Sequence, residues 1–371
     1  MIKFQQNVKK SRYLNQIYKT INLHDIILMI SGGQNLNYRE LRSKIINDAA
    51  KANIPVLGEF ELTSHCNLAC KMCYVADNST KDLSTKEWKK IFFDAFNSGL
   101  LFALLTGGEI FVRKDFIELY NYLYDLGVRI TLFTNGMFIS DEIIETLKKR
   151  PPEYLAITVY GGTNETYELI TCDKTGFTKL NNTLDKLIRN QINTIIRTIP
   201  LKPIFNEIDL IINWSKTRNL KLYHAQYIGP TRTGEFLHEG LRLEPKDLLT
   251  FTRKIEEAFG IESKTTETTS VDYKTCAALR SGYFINYEGL MMPCAMAYKP
   301  AKSVLGEESL LEVFQTLGKE LKNLEADIEC LTCKYNNACI QCYARRMLEG
   351  NSHTCASYLK EYAKVKGAFK I

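Results

Sequence analysis

From Val56 to about Gly229 the chain alternates short apolar runs with stretches whose apolar residues recur at the helical spacing. The runs are VLGEFELT, LLFALLT, VRITLFT, YLAITVY, NTIIRTIPL and LKLYHAQYI. Between them lie STKEWKKIFFDAFNSG, with Ser84 or Thr85 placed as N-cap, then KDFIELYNYLYDLG, SDEIIETLKKR, FTKLNNTLDKLIRNQ and EIDLIINWSKTRN. Repeated βα units of this length predict parallel strands joined by right-handed crossovers, in an open sheet or in a partial or full barrel. In such folds ligands gather at the carboxyl ends of the strands, and the conspicuous motifs fall there. Cys66, Cys70 and Cys73 follow the first strand, and Thr106–Glu109 (TGGE) end the second. Thr134–Gly136 (TNG) end the third, and Thr158–Gly162 (TVYGG) the fourth.

The pattern changes on either side of this core. Residues 231–275 read as a linker with one helix, EPKDLLTFTRKIEEAFG, in which Pro245 suits the first turn. Residues 276–371 hold seven of the 11 cysteines amid Gly, Asn and Tyr, with one long helical pattern, SLLEVFQTLGKELKNLEADI. A small loop-rich region of that kind owes its fold to metal. Residues 1–55 carry nine Lys or Arg against three Asp or Glu, which accounts for the whole net charge of +6. Either this is a solvated basic face or it docks an acidic partner; no nucleic-acid motif accompanies it. Within it, LHDIILMISGGQNLNYRELRSKIIND reads as two short helices around a Gly-Gly turn. No run of 18 apolar residues and no signal-peptide pattern appears, so a cytoplasmic protein without a membrane span is expected. Thiols there stay reduced, which favours metal binding over disulfides for so many cysteines.

Three thiolates on one short loop, HCNLACKMCYV, can hold three corners of a cubane iron–sulfur cluster and leave one iron without a protein ligand. The competing reading is a zinc site with a remote fourth ligand. His65 does not supply it, because neighbouring side chains at a strand end point apart. CNLACKMC also matches the C-x3-C-x2-C signature of the radical S-adenosylmethionine (radical SAM) enzymes, and Gly107-Gly108-Glu109 after the next strand resembles their second hallmark. The resemblance spans roughly residues 56–230 and implies a partial (β/α)6 barrel. It further implies that Cys66, Cys70 and Cys73 ligate a [4Fe–4S] cluster whose open iron binds the amino and carboxylate groups of S-adenosylmethionine. Reductive cleavage of that cosubstrate then gives a 5′-deoxyadenosyl radical that abstracts hydrogen. By the same resemblance Gly107 and Gly108 allow close backbone approach to the ligand and Glu109 receives its ammonium group. Thr158 and Arg197 are implied to contact the cosubstrate. Many members have an aromatic residue before the third cysteine, near the adenine; here Met72 takes that place and the aromatic is Tyr74.

The second set runs Cys276, Cys294, Cys330, Cys333, Cys339, Cys342 and Cys355, with Gly289 five residues before Cys294. A zinc ribbon would separate its paired knuckles by more than the five residues between Cys333 and Cys339 and would leave three cysteines idle. The pattern resembles the SPASM domain, the C-terminal extension of radical SAM enzymes that binds two auxiliary [4Fe–4S] clusters. The resemblance implies that Cys276, Cys294 and Cys342 serve the first of these, and Cys330, Cys333, Cys339 and Cys355 the second, three clusters in all. The family has three residues between the cysteines at 339 and 342, and this chain has two. Cys172 stands outside both sets and reads as a small residue packed in a loop.

The expected fold is therefore α/β, a partial (β/α)6 barrel of radical SAM type with a small loop-rich C-terminal iron–sulfur (SPASM) domain. The expected divisions are 1–55, 56–230, 231–275 and 276–371, the first a leader-peptide-binding fragment or a cap on the barrel. Resemblance to SPASM enzymes implies a maturase that abstracts hydrogen from a residue of a ribosomally made precursor peptide and forms a thioether, C–C or C–O cross-link. A peptide with an acidic leader and a flavodoxin- or ferredoxin-type reductant would be its partners. Two other readings stand beside it: oxidation of a Cys or Ser to formylglycine in a sulfatase, and an iron–sulfur electron carrier or redox sensor without radical chemistry.

Overall fold

A computed structural model describes residues 38–75, 81–236, 240–261, 276–324, 333–335, 338–339, 342–349 and 355–368. All six expected strands form: β1 (Leu57–Glu61), β2 (Phe102–Thr106), β3 (Arg129–Thr134), β4 (Tyr154–Val159), β5 (Thr194–Thr198) and β6 (Leu222–His224). They pair in parallel in sequence order, and β6 does not close back onto β1. This is the partial barrel rather than the full one.

The helices between strands cover the outer face. α2 (Thr85–Ser98) begins at Ser84, whose side chain accepts from the Glu87 amide while Glu87 reaches back, a complete capping box. Its residues Trp88 and Phe92 bury against Phe60 of β1, at ring separations of 6.3 and 5.1 Å. Each such aromatic contributes roughly 2–3 kcal/mol by leaving water. α3 (Phe116–Asp125), α4 (Asp141–Lys149), α5 (Asn164–Thr171), α6 (Gly176–Arg189), the short α7 (Lys202–Asn206) and α8 (Ile208–Thr217) complete the layer. Alternate strand residues then face the concave side, among them Glu59 and Glu61 of β1, Leu104 of β2, Phe133 of β3, Thr158 of β4 and Arg197 of β5.

α1 (Tyr38–Ala52) lies across the amino ends of the strands. Arg42 sits 4.7 Å over the Phe102 ring, and Arg129 lies 5.8 Å from Tyr38. The described part of the basic segment thus packs against the amino ends of the strands; the first expected helix and the Gly-Gly turn lie outside the described residues. Between α1 and the sheet is a cavity of about 220 Å³, walled by Glu59, Phe102, Leu104, Thr131, Phe133 and Tyr154.

The C-terminal region is more regular than its loop-rich composition suggests. β7 (Gly282–Ile285) adds in parallel to the free edge of β1, followed by antiparallel β8 (Leu290–Met292) and β9 (Lys302–Ser303). The sheet therefore has nine strands among the described residues, in the order 6-5-4-3-2-1-7-8-9. All four β7 residues are buried, because the strand is covered on both faces and an uncovered β1 edge would expose unpaired backbone groups. Gly289, at φ +79°, turns β7 into β8. α9 (Pro245–Phe259) starts on Pro245 as expected, and α10 (Leu310–Leu324), α11 (Tyr343–Glu349) and α12 (Ser357–Ala368) follow. Glu349 of α11 accepts from Arg242 at 2.5 Å and from the Tyr227 hydroxyl, which ties this end of the chain to the loops beyond β6.

Candidate functional site

The loop bearing Cys66, Cys70 and Cys73 leaves the carboxyl end of β1 and is held by backbone contacts. The Ala69 and Lys71 amides donate to the Thr171 and Ile170 carbonyls at the end of α5, at 3.3 and 3.0 Å. Cys73 N–H closes the turn on the Cys70 carbonyl at 3.1 Å. Cys66 Sγ accepts from the Leu68 amide at 3.4 Å and from Asn135 Nδ2 at 3.7 Å. Burial, followed by repulsion from Glu109 and Cys73, pushes the Cys66 thiol up to about 11. Cys70 rises by burial and then by repulsion from Cys73 and Cys66, and Cys73 also rises by burial. The three sulfurs thus lie within each other's field.

Gly107 and Gly108 press against this loop. A side chain at Gly108 would place its Cβ 2.3 Å from the His65 carbonyl oxygen, and one at Gly107 would stand 2.7 Å from that of Thr63. Gly108 N–H donates to Thr63 O at 2.7 Å and Glu109 N–H to His65 O at 2.8 Å. The close approach these glycines allow is therefore that of the chain to itself. Glu109 is buried, and its carboxylate accepts from the Phe111 amide at 3.1 Å, the Thr134 hydroxyl at 2.7 and 2.8 Å and the Asn135 amide at 2.7 Å. It joins the ends of β2 and β3. Burial raises its pKa to about 7 against the pull of those donors.

Thr158 stands beside Arg197 in the β4–β5 register. The Arg197 guanidinium lies 4.4 Å from the Phe133 ring, and burial lowers its pKa while Tyr154, Tyr74 and Glu59 act to raise it. Met72 is partly buried against the core. Cys172 departs from expectation. It is exposed, not packed, and caps α5 in the left-handed conformation at φ 64°, with its thiol 3.6 Å from Ala69 O. The tight junction between α5 and the cysteine loop forces this turn outward.

Sequence reasoning missed a polar group in the concave face. Glu61 is fully buried and forms a two-pronged ion pair with Arg232, at 2.8 and 2.9 Å. Arg232 also donates from Nε to Ala295 O at 2.6 Å and lies 5.0 Å from the rings of Tyr74 and Phe284. The signal available was GEFE, which sets two carboxylates on one face of a strand that should be apolar.

In the second set Cys294 is pushed up to about 12, by burial first, then by Cys342 and Cys276. Those three approach one another from the end of β8, the start of α11 and the entry to β7. Cys333, Cys339 and Cys355 are described and half-buried, and Cys330 lies outside the described residues. The ten described cysteines form no disulfide. Among the described residues no group of three or more His, Cys, Asp or Glu converges as one ion requires. A cubane spreads its thiolates over separate irons and needs no such convergence. Three half-buried thiols on one short loop, one already accepting two N–H groups, fit a site where cationic iron stabilises the thiolates.

Residues 60–212 match the family described as the Radical SAM superfamily. The chain carries a radical SAM domain. Members of that superfamily are enzymes that use S-adenosylmethionine and a [4Fe–4S] cluster. Over 327 residues, 80% of this chain and 93% of the relative, it is 25% identical to an AdoMet-dependent heme synthase of Methanosarcina barkeri. It is 23% identical to the sporulation killing factor maturation protein SkfB of Bacillus subtilis, over 78% of this chain and 71% of that one. SuiB of Streptococcus suis, solved with S-adenosylmethionine and also with its precursor peptide SuiA, shares the fold. The TM-score with the former is 0.69 over 94% of this chain and 89% of SuiB, at 15% identity. Among the described residues no helix is long and apolar enough to cross a membrane.

Proposed function

We propose that this radical SAM enzyme is a peptide maturase that removes hydrogen from a residue of a ribosomally made precursor and forms a thioether, C–C or C–O cross-link there. The observation that carries the reading is that Cys294, just beyond a strand that extends the radical SAM sheet, lies within the field of both Cys276 and Cys342. The maturation relative and the fold shared with a peptide-bound enzyme support it. Cys66, Cys70 and Cys73 would hold the cluster beside S-adenosylmethionine. Cys276, Cys294 and Cys342 would hold one auxiliary cluster, and Cys330, Cys333, Cys339 and Cys355 a second. When bound, the first cluster and its cosubstrate supply one-electron cleavage of a sulfonium and abstraction of a hydrogen atom.

The chain's own part is positioning. Leu68 N–H and Asn135 Nδ2 hold Cys66 Sγ, and Gly107 and Gly108 let β2 lock the cysteine loop at the mouth of the concave face. Glu109 fixes the ends of β2 and β3 where the ammonium group would lie, acting through Thr134 and Asn135. Thr158 and Arg197 offer a hydroxyl and a guanidinium toward the carboxylate or ribose, and Met72 a polarisable side chain toward the adenine. The apolar walls around them exclude water from the reacting centre. An acidic leader would meet the basic amino-terminal segment, and a flavodoxin or ferredoxin would deliver electrons.

The test uses anaerobically reconstituted, reduced protein, S-adenosylmethionine and the short peptides encoded beside its gene. A mass loss of hydrogen in one peptide, with 5′-deoxyadenosine formed, is the expected result. Intact clusters without 5′-deoxyadenosine would point to an electron carrier. The near-complete span of the heme synthase relative favours a second reading, haem-related chemistry, which binding and conversion of a porphyrin in place of any peptide would establish.

A further inference from the structure

One side chain touches a direct neighbour of a cysteine in each set. Arg232 comes from the loop beyond β6, and its three guanidinium nitrogens are all engaged: two on the Glu61 carboxylate and Nε on the carbonyl of Ala295. Ala295 follows Cys294 directly. The guanidinium also lies 5.0 Å from the ring of Tyr74, which follows Cys73 directly. Phe284 of β7, the strand that joins the C-terminal region to β1, flanks it at the same distance. The pair is removed from solvent, with Glu61 0% and Arg232 14% exposed at the side chain. In such surroundings a fork-shaped cation holds two segments in fixed register, and neither charge is screened by water.

We propose that Arg232 is a positioning residue that couples the two cysteine sets, holding the Cys294 turn against the Cys73–Tyr74 segment and, with Glu61, setting the electrostatic potential at both. The inference rests on the reading that both sets hold clusters. Removing either partner leaves the other as an uncompensated buried charge between them, and the two losses act with opposite sign. Arg232→Gln exposes both sites to the Glu61 anion and makes electron uptake harder; Glu61→Gln exposes them to the Arg232 cation and makes it easier. A merely structural tie would cost stability in both variants without that antisymmetry.

The experiment compares full-length wild type, R232Q, E61Q, R232K and the double variant E61Q/R232Q, each reconstituted and followed by iron analysis and redox titration with electron paramagnetic resonance. The expected result is lower reduction potentials at both sites in R232Q, higher ones in E61Q, and a return toward wild type in the double variant. In protein without iron, alkylation of Cys73 should be several-fold slower in R232Q, because the unpaired Glu61 anion disfavours its thiolate, with R232K between it and wild type. Potentials that stay at wild-type values in iron-replete R232Q and E61Q, or that move at one site alone, overturn the coupling. If R232Q fails to fold, E61Q and the double variant decide the same question. Wild type that takes up iron only at the first set would instead mark failure of the underlying two-set reading.

Discussion

The two cysteine sets are built by different means. Cys66, Cys70 and Cys73 lie within eight residues, on a loop that barrel backbone grips from two sides: the end of α5 holds Ala69 and Lys71, and the Gly107–Gly108 turn holds Thr63 and His65. Cys276, Cys294 and Cys342 come from segments up to 66 residues apart and come within each other's field because β7 extends β1 and α11 folds back on the loops beyond β6. The first set is a local motif seated in a finished frame. The second is a product of that frame's tertiary structure. Each should therefore fail in its own way.

The largest expected effect is on metal. If the proposed three clusters are present, Cys70→Ser should abolish 5′-deoxyadenosine formation and remove about four of roughly twelve irons per chain, leaving the second set loaded. Cys294→Ser should spare the first site's iron. Iron and sulfide analysis checks both, and loss of all iron from either variant would mean the sets are not separately built.

Next comes the frame itself. Gly108→Ala forces a Cβ to 2.3 Å from a backbone oxygen that has no freedom to retreat, so a loss of roughly 3–4 kcal/mol is expected in iron-free protein. Gly289→Ala, strained by φ +79° but meeting only the flexible Leu305 side chain at 3.0 Å, should lose about 1–2 kcal/mol. Thermal or urea unfolding checks the order. Equal losses would show that the hairpin turn at the second set is as constrained as the barrel mouth.

What was legible in the sequence follows the same division. The six strands, the N-cap at Ser84 and the helix start at Pro245 rest on short-range periodicity and cap chemistry, which neighbouring residues encode directly. The cysteine loop and Gly107-Gly108-Glu109 were legible as motifs, but the physical work of the glycines and of Glu109 was not, since their partners Thr63, His65, Thr134 and Asn135 come from other strands. Arg232 and Glu61 stand 171 residues apart, and no local signal pairs them. β7 was overlooked because a fully buried edge-completing strand of four residues shows neither alternation nor length.

Glu109 gives a pH test of how firmly the first set's frame is held. Its folded pKa of about 7 lies above the ordinary carboxylate value, so its proton binds the native state more tightly. The native state then loses stability as pH rises from about 4.5 to about 7, by roughly 3 kcal/mol, and is level above that. Unfolding of iron-free protein between pH 5 and 8 should show this decline, and Glu109→Gln should flatten it. An unchanged slope in the variant would mean that the three donors already keep the carboxylate ionised at little cost.

The smallest effect separates two neighbours on one strand. Glu61 is matched by Arg232, whereas the Glu59 carboxylate, two residues earlier and facing the 220 Å³ cavity, makes no hydrogen bond or ion pair among the described residues. Burial raises its pKa, and only the field of Arg197 opposes the rise. A carboxylate so placed costs stability once it ionises, so Glu59→Gln should raise the stability of iron-free protein by up to about 1 kcal/mol at pH 8. The gain should vanish near pH 3.5, where both states carry the proton. Glu61→Gln, by contrast, strands a buried cation and should be destabilising at pH 8. Melting curves of the two variants at both pH values give the answer: a loss of stability in Glu59→Gln at pH 8 would mean that Arg197 already serves it as a true partner, and that the barrel's concave face is electrostatically complete without the C-terminal region.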